Sequence, residues 1–295
     1  MRWVWALFRR EALGLLQDFW KDGKGFSVRP AVRSDSISSD PNPQSLWHAK
    51  PGEIEEKMWG SGSLLPAEEL LYELLSRPLN LNKDMKVLDL TAGIGHRMGK
   101  LVRDFNCSVE GRETNPELAV RGQTLLAAEG FDKKANLTLY NPDALLETQT
   151  YTCVIARELL SRVSNKETFV RALVDCCTKD AQFSFSDYIV NPEDQNQPAI
   201  LAWKAFEPER VPLSLVDMAE LWAKAGVTLR VHDEQTDMYE AEIKQGLLRL
   251  AQFMGSGVRP DYPTKKAINQ TITLWAHRAA AFEQGMKFYR FYGKR

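Results

Sequence analysis

Two carboxylates, Asp89 and Glu113, stand 24 positions apart (113 − 89), and a run of small residues from Thr91 through Ala92 and Gly93 to Gly95 follows the first. That set suits recognition of a nucleoside. Glycine lets the backbone approach a ligand closely, and a helix opening near Gly95 would present unpaired N–H groups. A carboxylate just past the next strand can accept both ribose hydroxyls. Asp143, in the stretch NPDAL, would follow a third strand, where it could meet an adenine amino group. Each feature also has a plainer reading: the glycines make a tight turn common to any α/β fold, and Asp143 caps a helix. The cysteines (107, 153, 176, 177) form no C-x-x-C pair and the four histidines are scattered, so no metal site or disulfide framework is expected.

The elements that must position these groups alternate along the chain. KVLDL (86–90), CSVEG (107–111), NLTLYN (136–141), YTCVIA (151–156), AQFSFSDYIV (181–190), VTLRVHD (227–233) and KFYRFYGK (287–294) read as strands. LLPAEELLYELLS reads as a helix, and Asn115 with Pro116 opens another. Ser164 with Glu167 predicts a capping box for a helix through Cys177, and Ser214 with Asp217 caps one that Gly226 ends. Apolar residues at helical spacing, Ile243 to Met254 and Ile268 to Phe282, predict two helices between strands six and seven. They read as a helical cap over residues 239–284, at the carboxyl edge where open α/β sheets bind ligands.

Composition narrows the class. With 295 residues, 44% hydrophobic and a net charge of −1, the chain is globular, and no electrostatic case exists for nucleic acid as its main partner. A reducing, cytoplasmic setting suits its cysteines. Residues 1–20 are aromatic and basic and read as an amphipathic helical arm, either packed on its own domain or a sister subunit or lying on a membrane surface. Residues 21–45 read as a linker, and 46–295 as the main domain.

VLDLTAGIG, VEGRETNPELA, NPDAL and the stretch from YTCVIA to FSDYIV resemble successive motifs of class I S-adenosylmethionine (SAM) dependent methyltransferases. MWGSGSLLP, FSDYIV and AGVTLRVHDEQTDMY resemble the branch holding sarcosine/dimethylglycine, phosphoethanolamine and quinone C-methyltransferases. The resemblance implies an α/β fold with a Rossmann-like, seven-stranded, mostly parallel sheet and helices on both faces. It implies SAM contacts from Asp89, Ala92, Gly93, Gly95, Glu113 and Asp143, joined by Ala156 and Arg157, with Met58 and Trp59 folding over the cofactor. It also marks departures. Thr91 stands where the family has its first glycine and would crowd the methionine moiety or shift the loop, Thr152 replaces an acid, and TKDAQ replaces a glycine-rich turn.

The implied reaction transfers a methyl group to a small-molecule acceptor: an amine, a quinone-like ring or a lipid precursor. Such a displacement needs mainly orientation, and a base only where the acceptor must lose a proton. Asp187, Tyr188 and His96 are the candidates for catalysis, with Arg157 and Glu158 nearby in sequence. Asp187 and Tyr188 are expected at the floor of an acceptor pocket under the cap, where Trp59, Trp203, Tyr239 and Trp275 could surround an amine. Asp187 could equally be a cap and His96 a solvated first-turn residue. The departures at Thr91 and Thr152 give the alternative, a methyltransferase-fold scaffold without turnover.

Overall fold

The computed structural model describes residues 46–142, 144 and 151–295. The arm 1–20, the linker 21–45 and Asp143 lie outside the described residues. Helices α1 (Glu53–Trp59) and α2 (Glu68–Ser76) precede the sheet. Two βα units follow: β1 (Lys86–Asp89) with α3 (His96–Phe105), and β2 (Ser108–Glu113) with α4 (Pro116–Ala128). Then come β3 (Ala135–Leu139), β4 (Tyr151–Arg157), α5 (Lys166–Asp175) and β5 (Cys177–Ile189). The remainder runs α6 (Pro198–Phe206), α7 (Leu215–Lys224), β6 (Thr228–Glu234), α8 (Thr236–Gly255), α9 (Tyr262–Glu283) and β7 (Lys287–Lys294).

Local chemistry sets most of these boundaries. The Asn115 side chain accepts from the N–H groups of Glu117 and Leu118 while Pro116, which lacks an N–H, fills the first turn of α4. Ser214 accepts from Asp217 N and donates back to its carboxylate, as the sequence predicts for α7. At α5 the cap falls one residue later than the predicted box: Asn165, not Ser164, accepts from Thr168 N. That helix also stops at Asp175, because the Cys176 carbonyl accepts from Tyr151 N and starts the pairing of β5 with β4. TKDAQ is therefore strand rather than turn, with a register shift between Tyr151 and Cys153 absorbing the extra length.

The strands form one seven-stranded sheet in the order β3-β2-β1-β4-β5-β7-β6. β1 to β5 run parallel, and β7 lies antiparallel between β5 and β6. Strand order reverses between β1 and β4, so a crevice opens at their carboxyl ends. β4 is buried along nearly its whole length, whereas the edge strand β6 alternates half-buried and exposed residues.

Apolar side chains pack on both sheet faces and in a third cluster at its carboxyl end. That third cluster joins α1, α6, α8 and α9 around Tyr188, Trp203 and Trp275. Helix α1 bridges two neighbours. Arg121 of α4 donates to the Pro51 carbonyl and pairs with Glu56, while Arg249 of α8 donates to the Met58 carbonyl. No helix among the described residues is long and apolar enough to cross a membrane.

Candidate functional site

β1 delivers Asp89 to the crevice, and the chain then turns through two glycines at positive φ, Gly93 (57°) and Gly95 (77°). At Gly93 a β-carbon would sit 2.9 Å from Leu64 Cδ1, so a larger residue would have to displace that side chain as well as hold a left-handed backbone angle. Gly93 N donates to Glu113 Oε2 at 2.9 Å. The other oxygen of Glu113 accepts from Thr114 N (2.8 Å) and Asn115 N (2.9 Å). Three backbone donors thus fix this carboxylate at the end of β2, and its lone pairs have room for a further donor.

Beneath the turn lies a closed ion-pair relay. Arg97 holds Asp89 by two bonds of 2.8 Å, reaches the Thr91 carbonyl, and meets Glu68 at 3.1 Å. Glu68 also pairs with the buried Arg157, whose guanidinium donates to the Pro66 carbonyl. Burial opposes ionisation of Glu68, yet Arg157 and Arg97 hold its carboxyl below the usual value. Thr91 belongs to the same unit: its Oγ1 accepts from Arg157 N at 2.9 Å, and its N–H donates to Asp89. The threonine that departs from the motif is thereby built into the loop. Thr91→Val keeps the shape and leaves the buried Arg157 N–H without its acceptor. It should cost about 1–3 kcal/mol of stability, measured by denaturant titration, and an unshifted midpoint would show that the hydroxyl carries no weight.

A cleft of about 540 Å³ opens over this turn. Its walls are the lid segment (Gly52, Glu55, Leu64, Glu68), the glycine turn, the end of β2 (Glu113, Thr114, Asn115), Pro142 and the turn after β4 (Leu159, Arg162). Ala92, Gly93, Glu113 and His96 of the sequence-derived set line it. Gly95 lies behind, packed against Leu126, and Asp89 and Arg157 serve the relay beneath. Ala156 belongs to the core on one sheet face. Trp59 is packed against Gly246 and edge-on to Trp275 at 5.0 Å, so it does not line the cleft.

The structure places Asp187 and Tyr188 away from the cleft. Asp187 is buried and accepts from Ser161 N (3.1 Å) and Tyr188 N (2.8 Å), so it anchors the turn that carries Arg162. Burial pushes its carboxyl pKa up. Tyr188 lies between the guanidinium groups of Arg210 and Arg278, each 5.3 Å from its ring, and its hydroxyl accepts from Arg278 at 3.0 Å. Beside it Glu158 and Glu207 each bind both of these arginines. Glu158 adopts φ 51°, a left-handed conformation costing about 1–2 kcal/mol for a residue with a β-carbon. Its bonds to Arg210, Arg278 and Tyr239 hold it there. Trp203 donates to Glu207 at 2.7 Å. The space above Tyr188, where an acceptor pocket under the cap is expected, is filled by this cluster.

Glu55, Glu68, Arg97, Glu117 and Arg162 are charged cleft residues that the sequence does not single out. Arg162 donates through Nε to the Glu158 carbonyl (3.1 Å), and no ion pair among the described residues includes it. Burial and the nearby Arg210 lower its pKa. Arg97 alone left a trace in the sequence, as a cation two residues past the last glycine of the turn. The others carry no local signature.

A family model described as a methyltransferase domain matches residues 65–231. Among solved structures, the fold is similar to phosphoethanolamine N-methyltransferase 2 of Haemonchus contortus, at TM-score 0.71 and 11% identity, covering 82% of this chain and 56% of that one. A cyclopropane synthase from Mycobacterium tuberculosis is similar at TM-score 0.68 and 13% identity, covering 81% of this chain and 87% of that one. Geranyl diphosphate C-methyltransferase from Streptomyces coelicolor A3(2) follows at TM-score 0.60 and 16% identity, covering 77% and 76%. No curated protein matches the sequence.

Proposed function

Since the chain belongs to the methyltransferase-domain family, we propose that it binds SAM in the cleft over Gly93 and transfers the methyl group to a small-molecule acceptor. One observation carries this reading: a carboxylate, Glu113, is fixed by three backbone donors, one of them the N–H of Gly93, at the wall of a cleft floored by that glycine turn. The cleft volume falls within the roughly 300–1,000 Å³ typical of small-molecule sites. When bound, SAM supplies a methyl group made electrophilic by a sulfonium. The chain's own residues supply position. Glu113 would take the ribose hydroxyls, the amides at the start of α3 would lie beside the ligand, and the lid residues Leu64 and Leu65 would exclude water.

His96 is the cleft residue best suited to handle an acceptor proton, since it lines the cleft and its Nε2 faces Glu69 at 3.7 Å. The acceptor class is an amine, a quinone-like ring or a lipid precursor. Phosphoethanolamine N-methyltransferase 2 and geranyl diphosphate C-methyltransferase, which share this fold, support that range. A cytoplasmic setting belongs to the same reading and is supported by four buried cysteines, all unpaired.

Calorimetric titration with SAM and with its demethylated product, S-adenosylhomocysteine, tests the cofactor. Saturable heat with both is the expected result. Absence of binding by either would remove the reading.

A further inference from the structure

Among the described residues, the cleft is lined by four carboxylates and two guanidinium groups: Glu55, Glu68, Glu113 and Glu117 against Arg97 and Arg162. Three of the acids have their charge answered. Glu68 is paired with Arg97 and Arg157, Glu113 takes three backbone N–H groups, and Glu117 is exposed to water. Glu55 differs. It is half-buried on the lid helix α1, in the same turn that buries Ile54 and Met58, and no ion pair among the described residues includes it. Burial raises its pKa, its own backbone N–H offsets part of that, and neighbouring Glu56 adds to it. Glu56 itself is paired with Arg121 and points its charge elsewhere.

An incompletely solvated anion without a counter-ion destabilises an empty site and favours a cation within it. Taken as a sphere, a cavity of this volume is roughly 10 Å across, close to the Debye length of about 8 Å at physiological salt. A charge held inside therefore lies within the range over which Glu55 can act on it. SAM and S-adenosylhomocysteine share their adenosine, ammonium and carboxylate, and differ in one methyl and one positive charge on sulfur.

We infer that Glu55 is the residue by which the cleft tells the charged donor from its neutral product, attracting the sulfonium and losing that attraction once the methyl has left. This rests on the cofactor reading above. The lid thus favours loading before transfer and release after it, and places on the helix that covers the cleft an anion whose counter-charge the reaction itself removes.

The test compares affinities for the two ligands by calorimetry in wild type, Glu55→Gln, Glu55→Asp and Glu117→Gln. Wild type should prefer SAM. Glu55→Gln should reduce the ratio of the two affinities by about tenfold, through weaker SAM binding. Glu55→Asp, which keeps the charge, should retain most of the preference, and Glu117→Gln, at a solvated site, all of it. Should Glu55→Gln fail to fold, judged by its melting curve, Glu55→Met removes the charge with an apolar side chain of similar size. An unchanged ratio in the neutral variants, or an equal fall in both affinities, overturns the inference while leaving the cofactor reading intact. A matching fall in Glu117→Gln would also overturn it, since the effect would then belong to the cleft's overall charge. Binding of neither ligand by wild type defeats the cofactor reading and this inference with it.

Discussion

Arg278→Met is expected to lower folding stability by about 3–5 kcal/mol, a large part of the roughly 5–15 kcal/mol available to a typical domain. The guanidinium of Arg278 is buried and touches Glu158, Glu207 and the Tyr188 hydroxyl at once. Its removal leaves two carboxylates in the protein interior with Arg210 as their only remaining guanidinium partner among the described residues. Denaturant titration measures the loss. A change below about 1 kcal/mol would mean that water or a shifted side chain replaces Arg278 at little cost.

The same cluster fixes a direction for pH. Burial opposes the charge on Glu207, but Arg278 and Arg210 prevail and hold its pKa at about 2, against an ordinary value of 4.5. Its folded pKa is depressed, so its contribution is present above about pH 4.5 and is lost as pH falls towards 2. Arg278→Met should therefore also flatten the acid limb of the stability profile in that window.

Glu113→Ala should weaken SAM binding ten- to a hundredfold, since hydrogen bonds to a charged group contribute about 1.5–3 kcal/mol. Two losses combine in this variant. The ribose would lose its acceptor, and Gly93 N, Thr114 N and Asn115 N would lose theirs, loosening the turn that shapes the cleft. Glu113→Gln separates them in part: its amide oxygen can still accept from backbone donors, so it should bind more tightly than the alanine variant and less tightly than wild type. Calorimetry decides, and equal affinity in all three proteins would take Glu113 out of the site.

The sheet, the glycine turn and the placing of Glu113 at a strand end were legible because each is set by neighbours within one βα unit. Period-two and helical patterns mark the elements, and the turn needs glycine for its backbone angle. The fate of Asp187 and Tyr188 was not legible. Their position at the end of β5 follows from the pattern, but what fills the space beyond it comes from Arg210 and Arg278, and Glu158 meets these across 52 and 120 residues of chain. The packing of Trp59 away from the cleft has a similar cause: Gly246 of α8 lacks a side chain where the indole sits. Glu55 and Arg162 have no motif around them, and only the closure of α1 over the turn brings them to one cleft.

The placing of β7 bears on how the chain is made. It lies between β5 and β6, yet residues 235–286 separate it from β6 in sequence, so β6 has no partner in the sheet until β7 has been synthesised. While a ribosome is still extending the chain, the outer edge of β5 therefore stays unpaired and open to other strands. The cleft, by contrast, draws all its described walls from residues 51–162 and is complete in sequence well before that. Synthesis thus supplies the ligand-binding half first and completes the sheet late. Slow translation or a stop before Lys287 should yield a product that associates through β5 although its cleft residues are all present.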